Sequence, residues 1–301
     1  MIDLNDFRLD LQLRGLAGKT IYNAVWAARS YLKWCESISK DPLSSDSLLG
    51  YLRFLRSDKR LRSNSIQTIF NSLSLWFSYL EDKGEIASNP IPQIRKRYLK
   101  SYKDPLNHRK LISIEDAARM VRATIDTRDR AILLLFLKTG IRRNELISLD
   151  VDDVDLENMS ILLKSTPKRS NRIVYFDEET ARALKRWLSV RSSRPKRRGE
   201  RALFLNRFGT RIHADSVLRA VTQAAERVGL HDPKSDRPED RFSPHCCRHW
   251  FTTHLIRSGM PRDYIKWLRG DSIHEAIDIY NHIDPEDVKR SYMAHIPMLG
   301  V

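Results

Sequence analysis

Cysteine is scarce in this chain of 301 residues: there are three, Cys35, Cys246 and Cys247. An odd number, two of them adjacent, suits neither a disulfide framework nor a paired zinc knuckle, and a reducing cytoplasm is the simplest home. Long apolar runs are lacking too. Even AILLLFL at 131 to 137 falls far short of the roughly 18 to 20 residues a membrane span requires. The opening MIDLNDFRLDLQLR is too charged for the apolar stretch of a signal peptide, so no membrane contact is expected. Acidic residues are in the minority, 38 against 53 Lys and Arg, for a formal charge of +15. Both parts of the chain share the excess, with 19 basic against 11 acidic residues up to position 110 and 34 against 27 beyond it. A basic, highly charged surface spread in this way attracts polyanions, although charge alone also serves solubility.

The fold expected is mainly α, in two domains. Residues 1–88 read as a helical bundle. Between Thr20 and Glu36, Ile21, Val25, Ala28 and Leu32 recur at three- and four-residue spacing, with Trp26, Arg29 and Lys33 on other faces. Further helices are expected over Ser45 to Ser57 and from Ser63 to a stop at Gly84. The aromatic stripe Trp26, Phe70, Trp76 and Phe77 is assigned to the core. Residues 89–110 read as a basic linker: Pro90, Pro92 and Pro105 forbid a continuous helix, and seven Lys/Arg face one acid, Asp104. Residues 111–301 read as a mixed α+β domain with a small antiparallel sheet. MSILL (159–163) and RIVYF (172–176) form a hairpin with a basic tip, RALFL (201–205) is a candidate third strand, and helices fill most of the remainder.

Three elements of this second domain carry chemistry. Ser243 before Pro244 is a helix start, with the serine as cap and the proline in the first turn. His245 and Arg248, three apart, would then flank an anion site at the positive end of that helix. A guanidinium there can grip two phosphate oxygens at once. The competing assignment is a core histidine beside a surface ion pair. Arg142 opens another short helix, with Glu145 three residues on to steady it. Lys164 and Lys168 flank the hairpin tip, where an ammonium could protonate a departing 5′ oxygen. Tyr280 has an ordinary pKa of about 10 and becomes a nucleophile only where cations stabilise its phenolate. Two arginines and a histidine would do so, and would also neutralise charge on a five-coordinate phosphorus, making metal unnecessary.

TGIRRNEL (139–146), HCCRH (245–249) and GDSIHEAIDIYNH (270–282) together resemble the tyrosine recombinase, or phage integrase, family that includes the Xer, Cre and phage lambda integrases. The resemblance spans the whole chain. It implies a SAM-like, core-binding helical domain at 1–88 and a catalytic domain at 111–301. It implies that Arg142 and Arg248 bind the scissile phosphate, Tyr280 attacks it, His245 assists proton transfer and Lys168 is the general acid, with Lys164 as runner-up. Glu145 matches the acidic residue that supports the first arginine. One departure stands out: Asp271 occupies the place of the family's second histidine or tryptophan, and an ionised carboxylate cannot donate a hydrogen bond to phosphate. That departure points to a divergent, archaeal or archaeal-viral branch, with His274 as the alternative donor. Cys247 stands where the family has an apolar residue and can fill a core position.

The expected activity is site-specific cleavage and rejoining of double-stranded DNA through a 3′-phosphotyrosyl intermediate, with no cofactor, metal or ATP. The expected assembly is a tetramer on two DNA sites formed from protomers that are monomeric in solution. A cytoplasmic, nucleoid-associated location follows. Zinc is disfavoured because side chains of Cys246 and Cys247 on one helix diverge by roughly 100°. The rivals are a type IB topoisomerase-like nicking-closing enzyme and a DNA-binding relic disabled at Asp271.

Overall fold

The computed structural model describes residues 4–99, 111–164, 171–235, 237–271 and 283–301. Two compact units divide the chain, Met1–Pro105 and Leu106–Val301. The first is all helical among its described residues: α1 (Asn5–Leu13), α2 (Gly18–Ser37), α3 (Ser45–Ser57), α4 (Ser63–Asp82) and α5 (Ile91–Tyr98). Its core forms where the apolar stripes of α2 and α4 meet, burying Ala24, Ala28, Tyr31, Phe70, Leu73, Trp76 and Phe77. Ser44 caps α3 by accepting from the Ser47 amide at 3.1 Å.

Two expectations for this unit need correction. Trp26 is not core: 48% of it is exposed, because the buried stripe of α2 runs through Ala24, Val25, Ala27 and Ala28 and leaves Trp26 on the opposite side. The stretch read as linker also contains a helix, α5, whose Ile91 and Ile94 are buried against the core. Proline is tolerated in a first helical turn, where its missing amide would have no partner. Asn89 fastens that turn to α4: its amide donates to Ser74 O (3.0 Å) and Ser78 Oγ (2.9 Å), while its carbonyl accepts from the Ile91 amide (3.0 Å).

The second unit is built around α7 (Thr127–Thr139), whose residues 131–139 are all buried. That is why AILLLFL is apolar all round instead of amphipathic. Flanking it are α6 (Ile114–Arg122), α9 (Glu178–Ser193), α10 (Ala214–Glu226) and α11 (Pro244–Arg257). Between α8 (Arg143–Ser148) and α9 lies a three-stranded antiparallel sheet in the order β1 (Val154–Asp155), β2 (Ser160–Leu163), β3 (Arg172–Tyr175), with Ile161 opposite Val174. The third strand is thus 154–155 and not RALFL. Residues 201–205 are instead pinned by isolated bridges, Asp150 to Ala202 and Leu205 to Arg211. The buried Trp187 indole donating to Leu203 O at 2.9 Å holds them against the core. Cys247 is fully buried in that core.

The remaining helices, α12 (Arg262–Arg269) and α13 (Pro285–His295), share a second cluster with α11 and β3, formed by Phe251, Leu255, Leu268, Val288, Tyr292 and Tyr175. Segment 284–301 packs on its own unit. Tyr292 OH donates to Lys138 O (2.8 Å), and the fully buried Lys138 ammonium binds Asp177, Glu179 and Pro297 O.

Candidate active site

Two glycine turns aim the site. Helix α7 ends at Gly140 in the left-handed conformation (φ +60°), and a Cβ there would lie 2.4 Å from the Phe251 ring. The chain then buries Ile141 and starts α8 with Arg142 extended at its N-cap. Helix α12 ends in the same way at Gly270 (φ +58°), where a Cβ would meet the Arg172 guanidinium at 2.8 Å. Asp271 follows at once. Arg248 reaches in from the first half of α11, with 6% of its side chain exposed.

These pieces converge. Arg142 Nη1 and Arg248 Nη2 both donate to Arg269 O at 2.9 Å, and Arg248 Nη1 donates to Gly140 O at 2.6 Å. Glu145 is the brace: Oε2 accepts from the Arg142 amide (2.7 Å) and from Arg172 Nη2 (2.9 Å), while Oε1 lies 3.3 Å from Arg142 Nη1. Asp271 lies among the guanidinium groups, its Oδ1 3.4 Å from Arg142 Nη2 and 3.3 Å from Arg248 Nη2. Its Oδ2 is 2.9 Å from Arg269 Nε, close as a charge pair but not aligned as a hydrogen bond. Arg142 and Arg248, 106 residues apart in sequence, thus share two acceptors.

The electrostatics follow from burial and like charge. Burial pushes the Arg248 guanidinium down to about 9, and the positive charges of Arg142 and Arg269 push the same way, with Asp271 and Glu145 opposing. Burial alone would raise the Glu145 carboxyl. The Arg142 amide and the Arg172 charge outweigh it, so the group titrates below its ordinary range and stays ionised. A site with four guanidinium groups, one of them nearly inaccessible, and two carboxylates is built to receive an anion.

Of the residues singled out from sequence, Arg142, Glu145, Arg248 and Asp271 are brought together. His245 is exposed in the first turn of α11 and, among the described residues, makes no hydrogen bond or ion pair with the cluster. Ser243 stands at the N-cap as expected, but its hydroxyl does not cap an amide; it turns to Cys246 Sγ at 3.6 Å. Lys164 is drawn elsewhere, to Asp150 Oδ2 (2.6 Å) and Asp153 Oδ2 (3.0 Å), and the hydrogen bond to Asp150 raises its pKa above the ordinary lysine value. Lys168, His274 and Tyr280 lie outside the described residues. Two members of the cluster carry no role assigned from sequence. Arg172 resembled the polar end of a strand, and Arg269 the basic last turn that many helices carry.

Comparison with known proteins places the chain in a family. The phage integrase family pattern matches residues 106–287, and that of the phage integrase N-terminal SAM-like domain matches residues 4–84. The chain belongs to the phage integrase family. It is a tyrosine recombinase, a DNA strand transferase. The tyrosine recombinase XerC of Thermodesulfovibrio yellowstonii is 31% identical over 259 residues, which cover 82% of this chain and 81% of that protein. XerC of Haemophilus ducreyi is 31% identical over 230 residues, covering 75% and 70%. Among solved structures, a lambda integrase(75-356) dimer bound to a COC' core site superposes with a TM-score of 0.67 at 16% identity, covering 94% of this chain and 97% of that one. XerH site-specific recombinase bound to difH substrate gives 0.62 at 21% identity, covering 92% and 80%. These two likenesses concern the fold. No described helix of the recombinase is long and apolar enough to cross a membrane.

Proposed function

We propose that the recombinase holds a DNA phosphodiester between Arg142 and Arg248 while Tyr280 attacks phosphorus, giving a 3′-phosphotyrosyl link and a free 5′-hydroxyl. Lys168 protonates the leaving 5′ oxygen and His245 assists proton transfer. A 5′-hydroxyl from a partner strand then attacks the phosphotyrosine and restores tyrosine. The bond energy is kept in the covalent link, so rejoining consumes no nucleotide, and the fixed guanidinium groups supply the charge that a metal would otherwise bring. The observation that carries this reading is the convergence of Arg142 and Arg248, from α8 and α11, on common acceptors with their N–H groups fixed by backbone carbonyls. Such preorganisation acts on charge that develops in the transition state and needs little rearrangement when it appears.

Double-stranded DNA carrying a specific site is the partner we assign, with four protomers assembling on two duplexes in the cytoplasm. In the first unit, α2 offers a surface suited to it: Lys19, Tyr22, Trp26, Arg29 and Lys33 are all exposed at three- or four-residue spacing. Cations interleaved with aromatic rings bind phosphate and present flat apolar area to bases or sugars. The pairing of Lys164 with two carboxylates favours Lys168 as the acid.

The test is covalent capture. A duplex nicked just 3′ of the cleavage position loses the short fragment that carries the new 5′-hydroxyl after attack, so an active enzyme accumulates as a protein–DNA adduct. The adduct should form in the presence of EDTA and vanish in Tyr280→Phe. Absence of any adduct would leave a DNA-binding relic. Relaxation of supercoils on DNA lacking any site would favour a nicking-closing enzyme.

A further inference from the structure

Asp271 is the feature that the reaction scheme does not use. Its carboxylate lies against Arg142 and Arg248, the groups a phosphate would engage, and against Arg269. The contacts to Arg142 and Arg248, at 3.4 and 3.3 Å, are long beside the 2.7–2.9 Å usual for charge-assisted bonds. Its side chain is 31% exposed, against 6% for Arg248. The backbone is anchored separately, with the Asp271 amide donating to Lys266 O at 3.2 Å in the cap of α12. Rotation of one side chain is therefore enough to withdraw the carboxylate.

Nor do the guanidinium groups depend on it for position. Arg142 is held by Glu145 and Arg269 O, and Arg248 by Gly140 O and Arg269 O. A carboxylate that contributes charge to an already fixed pair of arginines, loosely and from the solvent side, behaves as an occupant and not as a support.

We propose that Asp271 is a built-in placeholder for the phosphate: in the DNA-free protein it occupies the anion site between Arg142 and Arg248, and an entering phosphodiester displaces it. This rests on the reading of those two arginines as the phosphate-binding pair. It gives the carboxylate a role compatible with its inability to donate a hydrogen bond. The placeholder offsets the repulsion between the arginines while the site is empty. It also taxes loosely bound anions, because apparent affinity falls in proportion to the fraction of molecules whose site is free.

Inorganic phosphate, titrated calorimetrically into the full chain, isolates this step from catalysis. A placeholder present in about nine molecules of ten lowers affinity about tenfold, so Asp271→Asn should bind phosphate at least about ten times more tightly than the native protein. Asp271→Ser should gain similarly, guarding against an artefact of either replacement, and adding Arg142→Ala to Asp271→Asn should abolish the gain. Equal or weaker phosphate binding in both folded single variants overturns the proposal. If that result came with a covalent adduct formed by the native enzyme, the placeholder alone would have failed and the phosphate site would stand.

Discussion

Replacing Glu145 with Gln tests the claim that its carboxylate braces Arg142 and Arg172 within the cluster. The change preserves shape and leaves one oxygen to accept the Arg142 amide, but it removes a negative charge 2.9 Å from Arg172 and 3.3 Å from Arg142. Glu145 and Arg172 are only 10% and 9% exposed, so water screens their attraction weakly; Arg142, at 29%, counts for less. Unit charges 4 Å apart attract by about 4 kcal/mol at an effective permittivity of about 20, and removing one partner of a buried pair costs about 3–5 kcal/mol. Since the amide bond survives, the expected loss is near the lower edge, about 3 kcal/mol at pH 7. Urea unfolding measures it, with a lower midpoint and an unchanged slope. The pH dependence gives a second reading. The folded carboxyl titrates below its unfolded value of 4.5, so its contribution is fully present above 4.5 and is lost as pH falls through the folded value. The native protein and Glu145→Gln should therefore converge in acid. A difference under about 1 kcal/mol at pH 7, or one that persists undiminished in acid, would refute the reasoning.

Other perturbations separate the remaining parts of the argument. Lys138→Met strands two almost fully buried carboxylates, Asp177 and Glu179, and should cost about 3–5 kcal/mol in thermal or urea unfolding. Gly140→Ala forces a side chain into the left-handed region, at about 1–2 kcal/mol, and into the Phe251 ring. Because the Gly140 carbonyl holds Arg248, adduct formation well below the melting temperature should slow as well, and an unchanged rate would break that link. Trp76→Ala, at a fully buried site, should lose about 3–5 kcal/mol, whereas Trp26→Ala should stay within about 0.5 kcal/mol yet weaken duplex binding in a gel-shift titration. Sulfate binding should weaken at alkaline pH, because burial and the neighbouring guanidinium groups lower the Arg248 pKa from its ordinary value. Stability without sulfate should gain over the same range, because the unfolded guanidinium keeps its ordinary, higher pKa and binds more protons there than the folded one.

Much of the site was legible because its parts are local in sequence. TGIRRNEL contains both the glycine that ends α7 and the Arg142–Glu145 pair at the start of the next helix, and the N-cap to N3 spacing brings that pair into contact without help from the rest of the fold. HCCRH likewise places Cys247 and Arg248 inward on one helix. What spacing could not supply was company from distant segments. Arg172 on a strand and Arg269 at a helix end gave no signal by themselves, since single arginines in such places are ordinarily solvated. Trp26 was misread for the complementary reason: whether an aromatic side chain is covered depends on which side of its helix the neighbouring helices pack.

Residue order by itself determined the helical periodicity, the glycine stops, the basic charge and the family to which the chain belongs, all properties of short windows or of summed composition. Tertiary structure alone decided that guanidinium groups from α8, β3, α11 and α12 meet around two carboxylates, and that Asp271 lies among them. The reason is that Coulomb attraction and burial depend on distances in space. Those distances are set by how the apolar faces of α7, α11 and α12 pack, and not by how far apart the charges stand along the chain.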